Sequence, residues 1–115
     1  MRKDDHVRLR HILDAAREAE SFVQDKTRSS LDTDRKLALG LVKCIEIVGE
    51  AAASISNECQ QALPKVPWRD IIGMRNRLIH AYFDINLDIL WKTVLEDLPP
   101  LIAELEKILA PKVEP

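Results

Sequence analysis

Arg75, His80 and Tyr82 fall within one stretch, PKVPWRDIIGMRNRLIHAYFDIN, from Pro64 to Asn86. No other part of the chain sets a fixed cation, a group that titrates near neutrality and an aromatic hydroxyl so close together. A histidine can take the proton of a ribose 2′-hydroxyl near pH 7. An arginine can stabilise the charge that builds on a phosphorane. Such a pair would cut RNA alone, would leave a 2′,3′-cyclic phosphate, and would require no metal or other cofactor. Lys65, Arg69, Arg75 and Arg77 are the local cations that would hold the RNA backbone.

The spacing predicts a helix under this cluster, from about Pro67 to Ala81. Proline suits a first helical turn, where its missing N–H costs nothing. At 100° per residue, Trp68, Ile71, Ile72, Arg75, Leu78, Ile79 and Tyr82 share one face. Arg75 then interrupts an apolar stripe, so it must be paired or line a cleft, because an unpaired buried charge is costly. Arg69, Gly73, Asn76, Arg77 and His80 occupy the other side. Gly73 is unexpected there, since glycine costs about 1 kcal/mol against alanine inside a helix. It suggests the close approach of another backbone or of substrate. Arg75 and His80 are five residues apart and point about 140° away from each other on an ideal helix. Either the helix ends near Ile79 and His80 swings round, or two copies of the helix face one another across a shared cleft. The glycine and the need for symmetric closure favour the second arrangement.

The elements that must position this helix are helical too. The chain has 115 residues, 46% of them hydrophobic and 31% charged, with only 3 Gly. That balance describes one folded domain, 1–115, built from helix formers. A first amphipathic helix carries Leu9, Ile12, Leu13, Ala16, Ala19 and Val23 and runs to about Gln24, with Asp4 or Asp5 as its cap. His6 and His11 lie on it at a spacing unsuited to a shared metal and read as surface or packing residues. A polar connection, Asp25 to Asp34, leads to the longest helix, about Asp34 to Leu63, capped by Thr33 or Asp32 and ended by Pro64. Two adjacent apolar stripes make this the central helix, and Gly49, Ala52 and Ala53 let a neighbour come close. Glu46 and Glu50 lie one turn apart on its third face. They read as a solvated pair or as partners for Arg75 or Arg77, rather than as a metal site or an orienting shell. Asn86 caps a fourth helix with Leu87, Leu90, Trp91, Val94 and Leu95 on its apolar side. Pro99 and Pro100 break or kink it at Leu98, and a last helix runs from Leu101 to Ala110. The expected fold is all-α, an antiparallel bundle of four to five helices.

Net charge is -2. A protein gripping nucleic acid through bulk electrostatics should be basic, so any RNA contact must rest on a local patch. Cys44 and Cys59, placed on one helix, would stand about 22 Å apart, beyond disulfide reach. They read as reduced core thiols of a cytoplasmic protein. No apolar run approaches membrane length and the N-terminus lacks an apolar signal region. From the residues alone, a plain helical interaction module remains the default reading and RNA cleavage the sharper one.

The segments KCIEIVGEAA, PWRDIIGMRNRLIHAYFDIN and ILWKTVLEDLPPL, taken in that order, resemble the HepT-type toxins of the HEPN superfamily. The likeness spans nearly the whole chain. The signature Arg-x4-His-x-Tyr is present in full as Arg75, His80 and Tyr82. The resemblance implies a HEPN-like bundle that forms a homodimer with the motif at the dimer cleft. It implies a metal-independent endoribonuclease with Arg75 and His80 catalytic, and Asn76 matches the polar residue that often follows the motif arginine. Arg77 would support them. It also implies a cognate minimal nucleotidyltransferase antitoxin that can transfer AMP to Tyr82. The alternative is a non-catalytic helical partner that binds and regulates a nucleotidyltransferase.

Overall fold

Two long helices carry most of the core. In the computed structural model, which describes residues 1–79 and 84–111, α1 spans Lys3–Phe22 and α3 spans Arg35–Ala53. Leu9, Ile12, Leu13 and Ala16 of α1 pack with Leu41, Ile45 and Val48 of α3 in one buried cluster. The cluster also takes in Ile71, Met74 and Leu78 of α5 (Trp68–Leu78), Leu90 of α6 (Leu87–Lys92), and Leu98, Leu101 and Leu105 of α7 (Leu98–Leu109). The central helix therefore has neighbours on two sides, α1 and α5. The smallest extent of the molecule, 19 Å, is about two helix diameters, so the bundle has two layers. The expected all-α bundle is what forms.

Local chemistry departs from the simple pattern at five places. The helix expected over Asp34–Leu63 is two. It stops at Ala53, and α4 (Asn57–Ala62) begins after a bend. Ser54 Oγ donates to the Glu50 carbonyl at 3.0 Å, and Ser56 Oγ accepts from the Cys59 N–H at 3.1 Å. Serines here favour capping over a helix interior. Apolar spacing runs straight through the bend, from Ile55 to Cys59, and so conceals it. Cys44 and Cys59 thus lie on different helices, both buried and unbridged. Asp34, rather than Thr33 or Asp32, caps α3 by accepting from the Leu37 N–H at 3.0 Å. Thr33 is instead the end of a short helix, α2 (Ser30–Thr33), inside the expected connection.

At the N-terminus α1 starts at Lys3, with Arg2 in the cap position. Asp4 and Asp5 occupy the first turn, where carboxylates suit the helix dipole. Asp5 is buried and accepts from the Ser56 N–H at 2.9 Å and the Ser56 hydroxyl at 2.7 Å. It thereby clips the start of α1 to the α3–α4 bend. The fourth departure is the end of α5, taken up with the site below.

The fifth lies before the prolines. Asn86 caps α6 as expected, accepting from the Ile89 N–H at 3.0 Å. The rod then passes through a π-helical segment, Thr93–Asp97, before α7. The Leu98 N–H bonds back five residues to the Thr93 carbonyl. Pro99 and Pro100 have no N–H to continue the ordinary ladder, and the wider turn absorbs the mismatch. The extra residue in the turn rotates Leu95, expected on the apolar face, out to 45% exposure. Arg28 ties α2 to α6 by bonding Asp32 at 3.0 Å and Asp88 at 2.7 Å.

Candidate active site

Arg75 comes to its position through the packing of α5 on α3. The buried face of α5 is Ile71, Met74 and Leu78. Gly49 of α3 faces that helix. A Cβ built there would meet the carbonyl oxygens of Ile71 and Ile72, each at 3.5 Å, so the small residue permits close helix contact as expected. Arg75 lies beside this face, not within it, and its side chain is 50% exposed. Its Nε donates to Glu46 Oε1 at 3.0 Å. The pairing demanded of a cation next to an apolar stripe is present. The deep burial is not, because Met74 occupies the centre that the ideal-helix projection assigned to Arg75. Of the two glutamates, Glu46 is the arginine's partner. Glu50 lines a shallow hollow with Arg8, His11, Ile47, Ala51 and Ser54.

Arg77 takes the opposite flank of α5. Its guanidinium donates to the Asp70 carbonyl at 3.1 Å, and it borders a hollow of about 110 Å³ with Asp70, Met74 and Asp97. Two residues on a helix point about 200° apart, which is why Arg75 and Arg77 do not converge. Asn76, Arg69 and Lys65 are exposed. Gly73 has nothing within 4 Å of a built Cβ, so no part of the described chain explains it. His6 and His11 are exposed on α1, in keeping with surface histidines.

The helix does not reach Ala81. Its last bond runs from the Ile79 N–H to the Arg75 carbonyl at 3.2 Å. Ile79 is already extended (φ -116°, ψ 114°) and forms an antiparallel bridge with Ile85. The Leu78 carbonyl, left over at the helix end, accepts from the Asn86 N–H at 2.7 Å. His80 and Tyr82 lie outside the described residues. The ideal-helix projection that set His80 about 140° from Arg75 assumed a helix through His80, and α5 ends at Leu78.

Residues 12–108 match the family described as ribonuclease HepT-like. The chain belongs to the HepT-like ribonuclease family. It is 37% identical over 100 residues to a protein of Thermococcus cleftensis named "Probable ribonuclease HepT", covering 87% of this chain and 91% of that one. A Methanocaldococcus jannaschii protein named "Putative RNase" is 34% identical, covering 91% of this chain and 96% of its own length. A similarly named protein of Caldanaerobacter subterraneus is 36% identical over 88% of this chain and 90% of its own. No solved structure matches the chain. The resemblance read from the three segments is borne out, and membership of the HepT-like family makes this enzyme an endoribonuclease.

Among the described residues, the Glu46–Arg75 pair joins α3 to α5. It is a part-exposed ion pair, a class that contributes about 1 kcal/mol or less to stability. Among the described residues no group of three or more His, Cys, Asp or Glu converges as metal ligands, and no helix is long and apolar enough to cross a membrane. Burial, more than the Glu18 carboxylate 3.7 Å away, pushes Cys44 up to about 11, and burial also raises Cys59.

Proposed function

We propose that this HepT-like enzyme is the toxin of a toxin–antitoxin pair in the cytoplasm and cuts RNA without a metal. His80 takes the proton of a ribose 2′-hydroxyl. The 2′-oxygen attacks the adjacent phosphorus and the bond to the 5′-oxygen breaks. The products are a 2′,3′-cyclic phosphate and a 5′-hydroxyl, the latter protonated by the imidazolium or by water. Arg75 neutralises the phosphorane through its terminal nitrogens. Asn76 supports the site by polar contact, and Arg77, from the opposite flank of α5, by its charge alone. The observation that carries this reading is Arg75 itself, a half-exposed guanidinium held through Nε alone among the described residues, in a chain of a ribonuclease family.

A homodimer completes the cleft, with the open flank of α5 at Gly73 as a place for close approach. The antitoxin is a minimal nucleotidyltransferase. It joins the Tyr82 hydroxyl to the α-phosphorus of ATP, with pyrophosphate as leaving group. The resulting AMP-tyrosine, two residues from His80, blocks the cleft and repels RNA phosphates.

The test uses purified protein and a short RNA in chelator. Wild type should yield ends carrying a 2′,3′-cyclic phosphate, and a 2′-deoxy nucleotide at the cut should abolish cleavage. Arg75→Ala and His80→Ala should each lower kcat by at least about 100-fold, the usual weight of a lost acid–base or charge-stabilising group. Intact RNA with wild type, together with equal growth of cells expressing all three proteins, would remove the ribonuclease reading and leave a helical partner of a nucleotidyltransferase.

A further inference from the structure

We propose that Glu46 is the positioning residue of the site: it holds Arg75 by Nε so that the two terminal nitrogens face outward as a ready fork for phosphate. The proposal rests on the ribonuclease reading of Arg75 and extends it to a residue on another helix.

Three observations carry it. Glu46 and Arg75 are 29 residues apart and join α3 to α5 through one bond, Nε to Oε1 at 3.0 Å. A guanidinium has five N–H donors in a fixed plane. Among the described residues the carboxylate on Nε is the guanidinium's partner and the four terminal donors have none; these are the ones that grip two oxygens of a phosphate at once. Next, the exposures are unequal. The Glu46 side chain is 26% exposed and that of Arg75 is 50%, so the anchor is the more enclosed partner and the cation the more accessible one. Finally, the anchor stands on the element best able to serve as a reference. The side of α3 away from Glu46 is buried at Leu41, Ile45 and Val48, and one turn beyond Glu46 the chain passes Gly49, where α5 lies against it. Gly49 sets how near α5 comes, and Glu46 then sets which way the guanidinium turns.

A part-exposed pair adds little to folding, which leaves orientation as its main effect. The carboxylate also has a cost, since its charge sits near the phosphate that Arg75 is meant to receive. An orienting role predicts that the hydrogen bond matters more than the charge. A competing role, in which Glu46 screens Arg75 from RNA, predicts the reverse.

Glu46→Ala and Glu46→Gln separate these roles in the full-length protein. Glu46→Ala should lower kcat by about 10- to 100-fold, as expected when a catalytic group is misaligned, with KM changed by less than about threefold. Glu46→Gln retains an acceptor for Nε and should recover most of the lost rate. Added to Arg75→Ala, Glu46→Ala should slow the reaction no further, because it acts through the arginine. Faster turnover or a lower KM in Glu46→Gln than in wild type would overturn the proposal in favour of screening. Wild-type kcat in Glu46→Ala would overturn it outright.

A readout independent of activity is the ¹⁵N-labelled Arg75 side chain. Its Nε–H should exchange slowly with water in wild type and Glu46→Gln, and at least about tenfold faster in Glu46→Ala, the order expected for a lost protecting hydrogen bond. Equal exchange in all three would overturn the proposal. If wild type fails to cut RNA, the ribonuclease reading falls by itself, and the exchange measurement still decides whether Glu46 holds the arginine.

Discussion

At the residue scale, the decisive contrast is between charges that are held and charges that are merely present. Arg75 has a partner on a second helix, while Asn76 and Arg69 face solvent. Asp5 is a buried carboxylate held by two hydrogen bonds. The Ser56 N–H, then the Ser56 hydroxyl, keep it below the usual carboxylate range. A carboxyl with a lower value in the folded than in the unfolded chain stabilises the fold above its unfolded value. That stabilisation is lost as pH falls through the folded value. Melting temperatures of wild type and Asp5→Asn should therefore differ most from about pH 5 upward and converge in strong acid. An equal gap at all pH values would show that the clip does not depend on the charge. The thiols give a second prediction. With Cys44 buried and pushed up to about 11, native protein at pH 8 should resist a thiol-specific reagent at this position, and should react once unfolded.

Among the elements, α5 is where packing and chemistry meet. The Cβ space at Gly49 is an ordinary van der Waals fit against the Ile71 and Ile72 carbonyls. Gly49→Ala should fit, and should stabilise by up to about 1 kcal/mol through helix propensity. Gly49→Leu must push α5 away. It should cost about 1–3 kcal/mol in denaturant unfolding, as overpacked helix contacts do, and should lower RNA cleavage by displacing Arg75. The extent of α5 was legible in the sequence at its start, from Pro64 and Pro67, but not at its end. No proline or glycine follows Leu78 directly. The helix stops there because the Ile79–Ile85 bridge and the Asn86 N–H offer the backbone another set of bonds. The split of the central helix at Ser54–Ser56 was hidden for a related reason. The apolar register continues across it, and the partner that draws out the Ser56 N–H is Asp5, 51 residues away.

For the whole molecule, the two-layer bundle is thin and carries a net charge of -2, so RNA must be met by a local arrangement of cations. Gly73 bears on how that arrangement is closed. A Cβ built there meets no described atom beyond its own stretch of helix within 4 Å, and Gly73→Ala should stabilise the isolated chain by about 1 kcal/mol from helix propensity alone. If a second copy closes over this flank, Gly73→Arg should weaken self-association in sedimentation equilibrium and reduce cleavage in parallel, with little change in helical content. Unchanged association in Gly73→Arg would place the dimer contact elsewhere.

By itself the sequence determined the helical class, the buried faces of α1 and α3, the Asn86 cap, and the Arg75, His80 and Tyr82 spacing on which the family resemblance was read. These follow from local spacing and side-chain type, which a linear chain displays in full. It also offered Glu46 and Glu50 as a solvated face or as partners for Arg75 or Arg77. Only the tertiary structure decided between them. It selected Glu46, put Met74 in the core in place of the arginine, and ended α5 before His80. Each of these depends on how far and at what angle one helix lies from another, and that is set by Gly49, by the Asp5–Ser56 clip and by the Ile79–Ile85 bridge, contacts that join residues distant in sequence or compete with the helix for its own backbone.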